Sequence, residues 1–497
     1  MTGKAANSRP TYGNWRRPRK PGVGSLGLLG TLIGFAAVVV ALMMSLVSLL
    51  LAAAVLVLAV MVVAPLAVRT VDGRNVYQMA AARAGWVMRL GSGSHLYAAG
   101  VLSPRHLGRH HPPGPLARTT MLVGRDSLGR EFGVLHHTTR ARYTVVLGCD
   151  PDGASLVDAD QVDVWVASWG AWLARLAHEP GLRGASVIVE TAPDPGTRLA
   201  AEVLPRLSPT APAAARAVME QIVAAYPSAS SEMHTYICLT YGSTGLRRKP
   251  EEVVADLAGR LPALSSSLIA AGGGSAYPLS PEHLAEAVRV AYDPRCAGDI
   301  LAARADTAGS GVTWEDAGPA ATHESAGHYR HDSGVSRSWL LTLAPRGTVR
   351  SSVLQNLLEA SRGTRRKRVA LFYRPMEPAM AARAVEADRR NAQFMANSKK
   401  GLVQARAALE VRAAEQAAAE EAAGAGLVEF SVAVTVTVDD ESELADANVT
   451  IRNLQASSRT HLRAADRQQA AAFALTLPVG LLPWELTLLP HQIREAL

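Results

Sequence analysis

Apolar and polar residues alternate along this chain in two quite different ways. From Ser25 to Val68, "SLGLLGTLIGFAAVVVALMMSLVSLLLAAAVLVLAVMVVAPLAV", no charged side chain interrupts 44 residues. A helix needs about 20 apolar residues to cross a bilayer, so this run predicts two spans, at 26–44 and 49–68, joined around "MMSLVS". Beyond residue 118 the pattern shortens. "TTMLVGRDSLGREFGVLHH" (119–137) alternates with period two around "DSLG", as a β-hairpin does, and the strand "YTVVLGC" (143–149) follows. Amphipathic helices and strands then succeed one another: a helix at 158–177, a strand at 185–191, a helix at 211–226, a strand at 234–241, and helices at 250–271 and 281–292. A second series runs from a strand at 338–344 through a helix at 350–361, a strand at 367–374, a long helical section, a strand at 428–438 and helices at 441–455 and 464–473. The order is the same in both series.

That repetition predicts an α+β fold: a transmembrane helical hairpin followed by two ferredoxin-like, split βαβ repeats, with a long helical insertion in the second. The expected segments are a basic tail (1–24), the hairpin (25–68), a juxtamembrane linker and β-hairpin (69–142), a first α+β domain (143–305), a polar linker (306–337), a second α+β domain (338–484) with its arm at 377–423, and a tail (485–497). In the juxtamembrane part, "DGRNVYQMAAARAGWVMRL" is expected to form a short amphipathic helix with Trp86 near the bilayer surface.

Charge sets an orientation. Lys4, Arg9, Arg16, Arg17, Arg19 and Lys20 precede the apolar run without an acid among them, and Arg69 and Arg74 follow it. By the positive-inside rule both ends face the cytoplasm, in a multi-pass cell-membrane protein with two spans. A signal peptide fits poorly, since the run is too long and has no polar cleavage region. At 497 residues and 48% hydrophobic content, the chain has room for two or three packed domains. Cys149, Cys238 and Cys296 share no close spacing, so neither a disulfide framework nor a zinc knuckle can be read from them.

Few motifs point to catalysis. In "HESAGH", His323 and His328 stand five apart, whereas a helical zinc pair needs four. Asp158 and Asp160 match an Asp-x-Asp element with which glycosyltransferases hold a metal and a sugar nucleotide, but they open a helix, where Asp caps amide groups and complements the dipole. Trp165, Trp169 and Trp172 form one stripe on that helix, as core residues do. "GSTGLRRK" (242–249) lacks the intervals of a phosphate-binding loop. No cofactor and no metal is expected. Two features suggest partners. Arg362, Arg365, Arg366, Lys367 and Arg368 form a basic cluster just before a strand, either a solvated loop or a contact for phosphates of lipid or nucleic acid, without aromatics for base stacking. The arm, 47 residues from Glu377 to Ala423, repeats Met395, Leu402 and Leu409 at heptad spacing and then breaks at Gln416. It is either one long helix or, turning at "NSKKG", two.

The stretches "TYGNWRRPRKPGVGSLGLLGT" and "YTVVLGCDPDGASLVDADQVDVWVASWGAWLARLAHEPGLRGASVIVETAPDPGTRL" (143–199) resemble an actinobacterial family of two-span membrane proteins found with conjugative, type IV secretion-like gene sets. Two spans before a cytosolic α/β region are also distantly similar to the EccE components of type VII secretion. "ADRQQAAAFALTLPVG" (465–480) resembles the segment that closes the non-catalytic N-terminal half of conjugation ATPases. The resemblance implies a non-enzymatic membrane component, oligomeric within a conjugative or secretion assembly, that docks an ATPase supplied in trans and contacts DNA at most indirectly. A membrane-bound transferase using Asp158 and Asp160 is the alternative, and direct nucleic-acid binding through 362–368 a third reading.

Overall fold

The computed structural model describes residues 12–13, 27–68, 70, 74–100, 110–151, 153, 157–194, 197–225, 231–243, 249–306, 309–345, 348–361, 364, 366–397 and 402–486, with side chains except at 27–29, 197–198, 201 and 402–406. It divides into two compact units, one of Met1–Asn14 and Leu96–Leu482, the other of Trp15–His95 and Pro483–Leu497.

The smaller unit carries the apolar run. Helix α1 (Gly27–Ser45) and helix α2 (Leu49–Ala67) pack on one another across a tight turn at Leu46–Val47. The turn satisfies its own backbone, with the amides of Val47 and Ser48 both donating to the Met44 carbonyl at 3.0 and 2.8 Å. Each helix spans about 28 Å, close to the hydrocarbon thickness of a bilayer. Leu42, Leu46, Leu49 and Leu50 are more than two-thirds exposed, an outer surface that water would oppose and lipid would not. Helix α3 (Val76–Gly91) follows. A reciprocal cap starts it: Asn75 Oδ1 accepts from the Gln78 amide at 2.8 Å while Gln78 Oε1 accepts from the Asn75 amide at 3.3 Å.

The larger unit is built on one antiparallel sheet of thirteen strands. In chain order the elements are β1 (Leu96–Ala98), β2 (Thr119–Arg125), β3 (Glu131–His137), β4 (Arg142–Asp150), α4 (Ala159–Leu176), β5 (Leu182–Pro193), α5 (Thr197–Val203), α6 (Ala213–Ala225), β6 (Ser231–Gly242), α7 (Pro250–Leu268), β7 (Ser275–Pro278), α8 (Pro281–Tyr292) and α9 (Ala297–Asp306). After them come β8 (Ala321–Glu324), β9 (Tyr329–His331), β10 (Gly334–Leu343), α10 (Gln355–Leu358), β11 (Arg366–Pro375), α11 (Pro378–Asn397), α12 (Leu402–Ala422), β12 (Val428–Val438), α13 (Leu444–Ser457), β13 (His461–Ala464) and α14 (Gln469–Leu475). The strand order is β1-β8-β9-β10-β12-β11-β5-β6-β4-β3-β2, with β13 on β10 and β7 on β4.

Two quartets inside this order match. In β7-β4-β6-β5 and in β13-β10-β12-β11 every pairing is antiparallel, so β4 and β5 run parallel on either side of β6, as β10 and β11 do beside β12. The quartets meet where β5 pairs with β11, from Lys367↔Thr191 to Tyr373↔Ala185. Two separate α+β domains were expected. One continuous sheet is found instead, because each quartet would otherwise leave a long edge strand with unpaired backbone. The expected polar linker at 306–337 is likewise structured, as β8 and β9 extend the sheet.

Alternation decides what covers each face. On β12, Val432, Val434, Val436 and Val438 point one way, into a core shared with Val369, Leu357 of α10 and Ile451 of α13. The matching core of the other quartet gathers Val145, Leu147, Ile237 and Leu239 with Trp172 of α4 and Leu257 and Leu261 of α7. By length and apolarity α7 could also cross a membrane, but Val253, Val254, Leu257, Leu261 and Leu268 are buried in this core. Trp169 stacks on Trp172 with ring centroids 4.8 Å apart, so the tryptophan stripe serves packing. Helices α11 and α12, which follow β11 and precede β12 in the chain, pack antiparallel on one another, with Ala381, Ala392, Ala407 and Ala414 buried. The arm is therefore a helical hairpin.

Candidate functional site

The second face of the sheet is unlike the first. Reading across the strands, it carries Thr144 on β4, Thr240 on β6, Ser186 and Glu190 on β5, Arg366 and Arg368 on β11, Thr435 and Thr437 on β12, and Ser336 and Ser338 on β10. All are buried. Residues 465–482 lie across this face as a strap and match its polar groups in turn. Gln469 Oε1 accepts from the Ser338 amide at 2.8 Å, and Thr476 Oγ1 donates to Thr435 Oγ1 at 2.9 Å. Farther along, the Gly480 carbonyl accepts from Thr240 Oγ1 at 2.8 Å, and the Val479 carbonyl from His137 Nε2 at 3.1 Å. Gly480 has a φ of +66°, and a Cβ there would stand 2.3 Å from Thr144 Cγ2. Only glycine lets the strap lie so close.

Under the strap sits a charged cluster. Arg366 Nη1 donates to Glu190 Oε1 at 2.7 Å, and Arg368 Nη1 lies 3.5 Å from the same oxygen. The Arg368 guanidinium is stacked over the Phe473 ring of α14, 4.7 Å from its centroid. None of its three nitrogens makes a hydrogen bond among the described residues. Burial alone would raise the Glu190 pKa, but the Arg366 and Arg368 charges outweigh it and hold the carboxyl below its ordinary value. Beside this cluster His331 is fully buried, with Nδ1 2.6 Å from the Tyr292 carbonyl and Nε2 2.7 Å from Ser336 Oγ. A carbonyl only accepts, so Nδ1 carries the proton. Ser336 Oγ then donates to Nε2 and accepts from Thr437 Oγ1 at 2.8 Å. Burial pushes the His331 pKa down to about 3, which keeps the ring neutral.

The five-residue basic cluster is divided by this arrangement. Arg362 and Arg365 lie outside the described residues, while Arg366, Lys367 and Arg368 are interior parts of β11. The expectation of one exposed basic loop is thus corrected for these three: two face Glu190, and Lys367 reaches the opposite face, where Nζ donates to the Glu359 carbonyl at 2.5 Å. Burial draws the Lys367 pKa down to about 8. Of the heptad positions on the arm, Met395 is half-buried, Leu409 is 64% exposed, and the Leu402 side chain lies outside the described residues. Asp158 stands at the N-cap of α4 without a side-chain capping bond, and Asp160 is in its first turn. Among the described residues no group of three or more His, Cys, Asp or Glu is placed to hold a metal. His323 and His328 belong to the β8–β9 hairpin, not to a helix. Burial raises the pKa of Cys149 and Cys238 to about 12 and of Cys296 to about 11, so none is a reactive thiolate.

Glu190, His331, Gln469 and Gly480 were not singled out from sequence. A signal existed for Glu190, the one acid in the otherwise apolar strand "ASVIVET", and for Arg366 and Arg368, which keep strand parity. At this site one carboxylate faces two guanidiniums, and the hydrogen bonds of Gln469, Thr476, Val479 and Gly480 tie the strap to the sheet.

A family described as a domain of unknown function, DUF8461, matches residues 19–78. That stretch covers basic residues before the apolar hairpin, the hairpin itself and the start of α3. No curated protein matches the chain.

Proposed function

We propose that this chain is a non-enzymatic, membrane-anchored docking component of a conjugative DNA-transfer or secretion apparatus, which brings a separate ATPase to the membrane. The observation that carries the anchoring is a backbone bridge: the Tyr12 amide donates to the Val349 carbonyl at 2.8 Å, and the Val349 amide returns a bond to the Tyr12 carbonyl at 2.7 Å. Tyr12 precedes the apolar hairpin and Val349 follows it. Residues joined in this way share one compartment, so an even number of crossings must separate them, and α1 and α2 supply two. With the basic flanks, this favours cytoplasmic ends at the cell membrane.

The matched quartets support reading the larger unit as two ferredoxin-like repeats fused edge to edge. Each interrupts its middle hairpin with helices, α5 and α6 in the first and α11 and α12 in the second. The strap fits the same reading. Its sequence resembles the closing segment of the docking half of conjugation ATPases, and here it seals a sheet.

Affinity capture of the full chain from native membranes tests the proposal. A variant with 377–426 replaced by a short loop is expected to stay folded and in the membrane while losing a partner. Recovery of the same proteins with both forms, or nucleotide hydrolysis by the purified chain alone, would contradict it.

A further inference from the structure

Helix α3 presents an apolar face that is exposed among the described residues. At 100° per residue, Val76, Val87, Ala80, Gly91, Ala84, Tyr77, Met88 and Ala81 fall within an arc of about 140°. All eight are exposed, Val87 to 65% and Met88 to 73%. The opposite arc holds the half-covered Met79, Ala82, Gly85, Trp86 and Arg89. There Arg89 stacks on the Trp86 ring at 5.2 Å, and His95 meets the same ring edge-on. Arg83 borders the apolar arc next to Val76, while Arg89 stands on the opposite arc. The helix is tied to the hairpin, since Tyr77 Oη donates to the Val62 carbonyl of α2 at 2.9 Å, within two turns of the end of that helix.

We infer that α3 lies in the plane of the bilayer surface, with the Val76–Ala80–Ala84–Val87–Met88 face in the acyl boundary and Arg83, at the edge of that face, among anionic headgroups. Three observations select lipid as the occupant. The apolar face continues from a hairpin whose outer surface is itself apolar. The tether at Val62 keeps the start of α3 at the depth where α2 ends. Both charged residues of α3, Arg83 and Arg89, are positive, which complements anionic lipid. The inference rests on the reading of α1 and α2 as membrane spans.

Nitroxide labels on single cysteines in the full chain, with Cys296→Ser as background and the protein in phosphatidylcholine–phosphatidylglycerol vesicles, test it. Leu56→Cys reports the hairpin, Met88→Cys and Ala84→Cys the apolar face, and Ala82→Cys the opposite face. The expected result is that oxygen relaxes the labels at 56, 84 and 88 more than a water-soluble nickel chelate does, with the ratio reversed at 82. A lipid signature at 56 with water signatures at both 84 and 88 would overturn the inference and leave the hairpin standing. A water signature at 56 would overturn the hairpin reading and this inference with it.

Discussion

Glu190 shows how much one side chain decides in this sheet. Its carboxylate is the counter-charge for two buried guanidiniums, Arg366 at 2.7 Å and Arg368 at 3.5 Å. Removing one partner from a buried ion cluster leaves charge uncompensated, so Glu190→Gln is expected to destabilise the larger unit by about 3–5 kcal/mol in chemical denaturation. The depressed carboxyl pKa adds a sign: its stabilisation is complete above the ordinary glutamate value of about 4.3 and is lost as pH falls through the folded value. His331 acts in the same direction over a higher window. Its ring is neutral when folded and protonates near pH 6.5 when unfolded, so stability should fall from there toward pH 3, by roughly 2 kcal/mol at pH 5. His331→Gln is expected to be less stable at pH 7 and flatter between pH 6.5 and 4; a wild-type profile that is already flat would refute the assignment. At Gly480 the argument is steric. Gly480→Ala should cost about 2–3 kcal/mol, from the contact with Thr144 and the left-handed backbone together. Gly129→Ala, with the same sign of φ and nothing within 4 Å of the added carbon, should cost about 1 kcal/mol.

At the scale of elements, β11 and β12 keep register to their ends, where Pro375 pairs with Val428 and the Met376 amide donates to the Leu427 carbonyl at 2.9 Å. The arm therefore leaves and rejoins the sheet at a closed hairpin. Replacing 377–426 with a short turn is expected to leave the melting transition of the larger unit within a few degrees of wild type. The same logic explains which elements could be read from sequence. Strands such as "YTVVLGC" and "VEFSVAVTVTV" combine β-branched residues with strict alternation, and they lie within a residue or a few of their expected bounds. The strands missed were β1, β7, β8, β9 and β13. Each has three or four residues, too few to establish an alternation, and β8 and β9 place polar side chains, Thr322, Glu324 and His331, at inward positions. A pattern that equates polar with exposed passes over them. The turn "AAGGGS" hid β7 for another reason, since Gly272 and Gly274 take positive φ to fold the chain back onto β4. The basic cluster failed in the opposite way. A run of arginines looks like a solvated loop until Glu190, 176 positions earlier, is paired with it, and no local signal carries that pairing.

For the whole molecule, the proposed topology places residues 1–14 and the larger unit on one side of a membrane crossed twice between them. Cysteine labelling in oriented vesicles tests this most directly, with an impermeant maleimide applied to right-side-out and inverted preparations of Ser8→Cys, Leu46→Cys and Leu128→Cys, each in a Cys296→Ser background. Leu46 is at the hairpin turn and Leu128 is exposed at the tip of the β2–β3 turn. Positions 8 and 128 should label only in inverted vesicles and position 46 only in right-side-out ones. Labelling of 8 and 128 from opposite sides, or of all three from the same side, would contradict the claim.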